Sequence, residues 1–213
     1  MRNFLLTSVL VLFAGVTGAY AQRGEVGVAV GGSLYRNQTL TNNGQTVDAG
    51  LSNGVAASAF IGQNMYRFVG GEIRYTYERN DYKLSGNGAN VGFSGDAHAI
   101  HYDLLIHFTP RTSRVRPFVL GGAGVKYYRG TGAEAVSQPL SRFALLTREN
   151  DMKPVVTFGA GLKIAVTNHI NLRAEFRDYL TPFPQKIVTP NVNTSGTSLL
   201  HNYVPNVGLS YSF

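Results

Sequence analysis

The stretch Asn206-Val207-Gly208-Leu209-Ser210-Tyr211-Ser212-Phe213 alternates polar and apolar side chains without a break. A β-strand turns successive side chains to opposite faces. Val207, Leu209, Tyr211 and Phe213 therefore share one face, and Asn206, Gly208, Ser210 and Ser212 share the other. The sequence stops on this strand, although chain ends ordinarily fray into solvent. A last strand that pairs with the first to close a barrel explains both features. A half-buried terminal strand of an ordinary sheet is the simpler alternative, and the remaining segments decide between them.

Seven more segments alternate in the same way: 25–34, 55–63, 68–78, 96–109, 117–128, 155–166 and 170–179. Pro117, Pro154 and Pro205 are placed at strand starts, where a missing N–H costs least. The links alternate in length. Short ones (64–67, 110–116 and 167–169) are interleaved with long ones (35–54, 79–95, 129–154 and 180–205) rich in Gly, Asn, Thr, Ser and Pro. In an antiparallel meander, odd and even links lie at opposite ends. Short turns at one end and long loops at the other are the organisation of an outer-membrane barrel. The sequence thus predicts an all-β fold, an eight-stranded antiparallel up-and-down transmembrane β-barrel.

The chain has 213 residues, enough for one substantial core. It has no Cys, which excludes a disulfide framework, a Cys metal site and a Cys nucleophile. Arg2, the apolar stretch 5–16 and the small-x-small site Ala19-Tyr20-Ala21 before Gln22 have the pattern of a secretory signal peptide. The predicted organisation is a signal peptide at 1–21 and a barrel domain at 22–213. Removing the leader takes away Arg2 and no acid, leaving 18 basic and 12 acidic residues, net +6. No later segment approaches the roughly 18 apolar residues of a spanning helix.

The polar parity carries Gly70, Glu72, Arg74, Thr76 and Glu78 in the third strand, and Gly122, Gly124 and Lys126 in the fifth. In the sixth it carries Thr157, Gly159, Gly161 and Lys163, and in the seventh Asn171, Arg173, Glu175 and Arg177. Small residues beside a few opposite charges suit the cramped interior of an eight-stranded barrel. The predicted lumen charge network is Glu72, Arg74, Glu78, Lys126, Arg173, Glu175 and Arg177. The apolar parity has no charge at its centre, as lipid requires. Phe68, Tyr77, Phe108, Tyr127, Tyr179, Tyr211 and Phe213 fall near strand ends, where aromatic girdles sit.

Three stretches resemble the small outer-membrane barrel family typified by the OmpA transmembrane domain, OmpX and the Opa adhesins. They are Arg116-Pro117-Phe118-Val119 running on to Gly121-Gly122-Ala123-Gly124-Val125, Leu172-Arg173-Ala174-Glu175-Phe176-Arg177-Asp178-Tyr179, and the terminal Tyr211-Ser212-Phe213. The resemblance, with the leader, covers the whole mature chain. It implies a bacterial outer-membrane location of Gram-negative type. It also implies that Val207, Leu209, Tyr211 and Phe213 form the C-terminal signal read by the barrel-assembly machinery. The peptidoglycan-binding domain that OmpA-like proteins often carry is not expected after Phe213.

His98, His101, Asp103 and His107 lie on the fourth strand, the last three on the inward parity. Their spacings spread them over about 20 Å, so a hydrogen-bonded interior network is expected ahead of a metal or proton-relay site. His201 is expected in solvent, in the last long link. The His-x-Ser pair of lipid A deacylases is absent: two residues after each His stand Ile100, Asp103, Thr109, Asn171 and Tyr203. The Gly121–Gly124 run lacks the Lys-Ser/Thr of a phosphate loop. The positive charge points weakly to nucleic acid. Arg111, Arg114, Arg116 and Arg129, near strand ends, point instead to lipid headgroups. The expected function is a structural or surface-binding barrel with four long extracellular loops, no catalysis, no cofactor and no metal. The alternatives are a narrow porin-like channel and, less favoured, a lipid A-modifying enzyme. Expected partners are outer-membrane lipid and lipopolysaccharide, the assembly machinery and a surface ligand bound through the loops. No nucleic acid is expected, and the barrel is expected to be a monomer.

Overall fold

The structure, a computed structural model, describes residues 24–86, 88–132, 138–191, 194 and 199–213. The signal peptide read at 1–21 lies outside the described residues. The strands, in chain order, are β1 (Gly24–Tyr35), β2 (Gln38–Asn42), β3 (Gln45–Leu51), β4 (Gly54–Gln63), β5 (Val69–Arg79), β6 (Tyr82–Gly86), β7 (Ala89–Phe93), β8 (Gly95–His107), β9 (Val115–Gly130), β10 (Ala144–Leu146), β11 (Asn150–Ala165), β12 (Ile170–Pro182), β13 (Val188–Pro190) and β14 (Leu199–Ser212).

Eight of them close a barrel in the order β1-β14-β12-β11-β9-β8-β5-β4, every neighbour antiparallel. The terminal strand does what its alternation predicts. Val207, Leu209 and Tyr211 of β14 stand opposite Val30, Val28 and Val26 of β1. A row of paired residues leaving Glu25 passes Gly62, Glu72, Asp103, Gly122, Thr157, Tyr179 and Asn202, and returns to β1 at Tyr35. The stagger is ten residues around eight strands, and such a shear goes with strands tilted roughly 35–45°.

The burial pattern is inverted relative to a water-soluble barrel. Val28, Val30, Ile73 and Val207 are each 57–61% exposed, while Arg74, Arg173 and Arg177 are at most 1% exposed. Val26, Ile106, Phe158, Leu172 and Leu209 also face outward. A monomer in water rarely shows so continuous an apolar exterior. A hydrocarbon surround removes that cost, and strand pairing satisfies the backbone that lipid cannot.

Several details depart from the sequence reading. Pro154 and Pro205 lie inside β11 and β14, because both strands run further towards the long-link end than the alternation suggested. At Pro205 the closing ladder is interrupted. Pairs run from Glu25↔Ser212 to Gly31↔Asn206 and resume at Leu34↔Tyr203 in the same register. Pro205 has no N–H to donate, so the gap falls where the missing donor would be needed.

The long links are not plain loops. The first holds the hairpin β2–β3, the second the hairpin β6–β7, the third β10 and the fourth β13. They assemble into a four-stranded sheet, β2-β3-β6-β7, and a two-stranded one, β10-β13. Asn43 and Gly44 turn the first hairpin with positive φ values of 49° and 75°, the requirement of a type I′ turn. The two sheets bury Leu40, Val47, Leu84, Phe143, Leu146 and Val188 with the rim residues Tyr35 and Tyr128. An apolar cap thus sits over one mouth of the barrel.

Candidate functional site, a packed lumen

The pleat of β1, β5, β8, β9, β11 and β12 sends the polar parity of each strand inward. Five acids and six bases therefore meet inside one narrow barrel: Glu25, Glu72, Glu78, Asp103 and Glu175 with Arg74, Arg116, Lys126, Lys163, Arg173 and Arg177. They are ordered in tiers. Room for them comes from glycine on the facing strands. A Cβ at Gly122 would stand 2.2 Å from Asp103 Oδ1, and one at Gly124 would stand 2.1 Å from the Ile100 carbonyl.

The central tier is the most connected. Glu72 Oε1 accepts from Arg74 Nε and Arg177 Nη2, both at 2.8 Å, and Glu72 Oε2 pairs with Arg173 Nη1 at 2.8 Å. Glu175 pairs with Arg74 at 3.1 Å, Arg173 at 2.6 Å and Arg177 at 2.7 Å. Arg177 Nη1 also donates to Asp103 at 2.5 Å, and Asp103 accepts from Thr157 Oγ1 at 2.5 Å. The Phe60 ring lies under both Arg74 and Arg173, at 4.4 and 4.2 Å from its centroid, a contact that favours a desolvated guanidinium.

The tier nearer the cap is built around one pair. Lys126 Nζ donates to both Glu78 oxygens, at 2.9 and 2.8 Å. Tyr35 Oη and Asn202 Nδ2 donate to the same carboxylate at 2.6 and 2.7 Å. Tyr35, Tyr128 and Tyr179 surround the ammonium at 5.1–5.4 Å. At the other end Lys163 and Arg173 share Glu25.

The structure brings all seven lumen charges read from the sequence into these tiers, through the pairs Glu72–Arg173, Arg74–Glu175, Glu78–Lys126 and Arg177–Glu175. Sequence reasoning passed over Glu25 and Asn202 as members, although each falls on the inward parity of its strand. His101 and Asp103 join the network, with Nδ1 and Oδ1 2.9 Å apart and His101 Nε2 3.3 Å from Tyr179 Oη. His98 faces outward, 2.7 Å from Tyr75 Oη. Two placements are corrected. Tyr179 is no girdle residue but points inward and is buried, 3.1 Å from Thr76 Oγ1. His201 is not in a link but on β14, its Nδ1 2.7 Å from Asp178 Oδ2. Among the described residues no group of three or more His, Asp or Glu is placed to hold a metal ion. Val207, Leu209 and Tyr211 project outward on β14, and the Phe213 N–H donates to the Gly24 carbonyl at 3.0 Å.

Residues 7–213 match the family model described as "Outer membrane protein beta-barrel domain". The chain belongs to that family. Its place is the bacterial outer membrane, among lipids, which accounts for the apolar exterior. No curated protein matches the chain. Solved structures of similar fold include OprG from Pseudomonas aeruginosa, 14% identical with a TM-score of 0.56, over 90% of this chain and 97% of that one. Neisserial surface protein A is 12% identical with a TM-score of 0.54, over 89% and 97% of the two chains. AlkL, determined in lipid bilayers, is 16% identical with a TM-score of 0.55, over 92% of each. At these identities the likeness is one of fold.

Proposed function

We propose that this barrel is a structural and surface-binding protein rather than a conduit or an enzyme. In this reading the leader at 1–21 is cleaved, the barrel at 22–213 stands as a monomer, and the four long links face outward from the cell. The cross-section at Glu72, Arg74, Asp103, Arg173, Glu175 and Arg177 carries the reading. Each of these side chains is at most 2% exposed; five are held by at least two others of the set, and Asp103 is held by Arg177 together with Thr157 and His101. A water path needs polar groups that can exchange partners with water, and these are committed to one another in a lumen that eight strands leave barely wide enough for side chains. The apolar cap seals the same axis a second time. That leaves the outer ends of the links as the place for recognition.

The test is single-channel recording of refolded protein in a planar bilayer. The expected trace is flat. Reproducible conductance steps would replace this reading with the narrow channel. Unchanged lipid A mass spectra in cells with and without the protein are expected as well, and a gene-dependent change in acylation would make the barrel an enzyme.

Val207, Leu209, Tyr211 and Phe213 act in this reading as the signal to the assembly machinery. Deleting Phe213 is expected to remove the protein from the outer-membrane fraction while leaving detergent refolding intact. Normal membrane levels of the deletion would reduce Phe213 to one more packed ring.

A further inference from the structure

The mouth at the short-turn end differs from the rest of the lumen. Arg116 of β9, Lys163 of β11 and Arg173 of β12 stand side by side in one register row, Arg116 opposite Lys163 and Lys163 opposite Arg173. All three are inward and buried. Like charges directly opposite one another on neighbouring strands repel. Arg173 is balanced from the central tier by Glu72 and Glu175, and Lys163 by Glu25. Among the described residues no carboxylate pairs with Arg116. Its Nη1 donates to Asn64 Oδ1 at 3.3 Å. Its Nε and Nη2 have no protein partner, and neither do the two ring nitrogens of neighbouring His107.

Arg116 lines a basin of about 890 Å³ that opens at this mouth, its two unpartnered nitrogens buried in the wall, with Arg111 and Arg114 on the rim. Glu25 is the single acidic side chain among the described residues that line the basin. The volume falls in the range of small-molecule sites. A guanidinium with two adjacent donors left over matches a phosphate edge better than a point charge does.

We infer that this basin binds a phosphate group, held by Arg116 Nε and Nη2 with Lys163 beside it and Arg111 and Arg114 at the rim. The anion supplies the counter-charge that Arg116, alone in the row, lacks. Two sources share this chemistry: a free phosphate compound, and the headgroup of an anionic phospholipid in the adjoining leaflet.

The experiment is calorimetric titration of inorganic pyrophosphate into the protein refolded in nonionic detergent, against sodium chloride of matched ionic strength. Saturable binding is expected with pyrophosphate only. Arg116→Gln is expected to weaken it at least tenfold, and Arg114→Gln a few-fold. If Arg116→Gln fails to refold, the Arg114→Gln comparison and the side-chain Nε–H resonance of Arg116 in wild-type protein decide, since that resonance must move on titration. Repeating the titration in phosphatidylglycerol and phosphatidylcholine nanodiscs separates the sources. Competition by phosphatidylglycerol assigns the site to lipid, and equal binding in both assigns it to a free compound. Heats no larger than those of chloride, or an Arg116→Gln variant that binds like wild type, would overturn the inference.

Discussion

The molecule has two cores of opposite chemistry, stacked on one axis. The lumen is held by guanidinium, ammonium and carboxylate groups; the cap above it is held by Leu40, Leu84, Phe143, Leu146 and Ile187. A barrel in lipid gains little from burying apolar side chains inside, because its exterior already accepts them. Its interior is then free for directional contacts that fix register and fill space. The cap lies beyond the apolar belt, so water drives it together in the ordinary way. The two cores should therefore fail differently.

The largest effect is expected in the lumen. Arg177→Leu removes the group shared by Glu72, Asp103 and Glu175. Stranding buried carboxylates should cost about 3–5 kcal/mol, read as a lower urea midpoint for unfolding of the whole barrel. An unchanged midpoint would mean that the lumen is wet enough to solvate those acids. The cap should respond locally. Leu146→Ala is expected to cost about 2–4 kcal/mol, visible as faster amide exchange in β2, β3, β10 and β13. The heat-modifiable gel shift of the barrel should stay as in wild type. If the shift were lost as well, the two cores would be one cooperative unit. A smaller change tests the turn that starts the cap. Gly44 has φ +75° and open space around it, so Gly44→Ala should cost about 1 kcal/mol through backbone strain alone. Smallest of all is Val207→Ala on the lipid face, where bilayer fills the vacated space; a shift in urea midpoint like that of Leu146→Ala would argue that the face is packed against protein.

The same contrast explains what could be read from the sequence. Eight strands were legible because each keeps one parity for lipid and one for the lumen over eight or more residues, as in Leu172, Ala174 and Phe176 against Arg173, Glu175 and Arg177. The charged lumen followed from that parity. The cap strands are three to seven residues long, too short for alternation to stand out from the Gly- and Asn-rich links around them. One signal was available: Asn43-Gly44 between Leu40 and Val47 is a strong hairpin marker. Tyr179 was misplaced because an aromatic near a strand end suits a girdle; parity with Arg177, two residues earlier, is what sends it inward. The bare Arg116 was not legible at all, since cross-strand register decides that it faces Lys163 rather than an acid.

The seam between β1 and β14 has a consequence for the order of events in folding. Every other pair in the barrel joins consecutive barrel strands, whereas this one joins Glu25 to Ser212, nearly the full length of the described chain. Closing so long a loop is entropically the slowest step, and Pro205 leaves the zipper a donor short midway. The open intermediate therefore carries two unpaired edges at once, a hazard in any medium without water to satisfy them. Pulse-labelled exchange during refolding should find β1 and β14 protected last; early protection of both would mean that the barrel closes before its meander is complete.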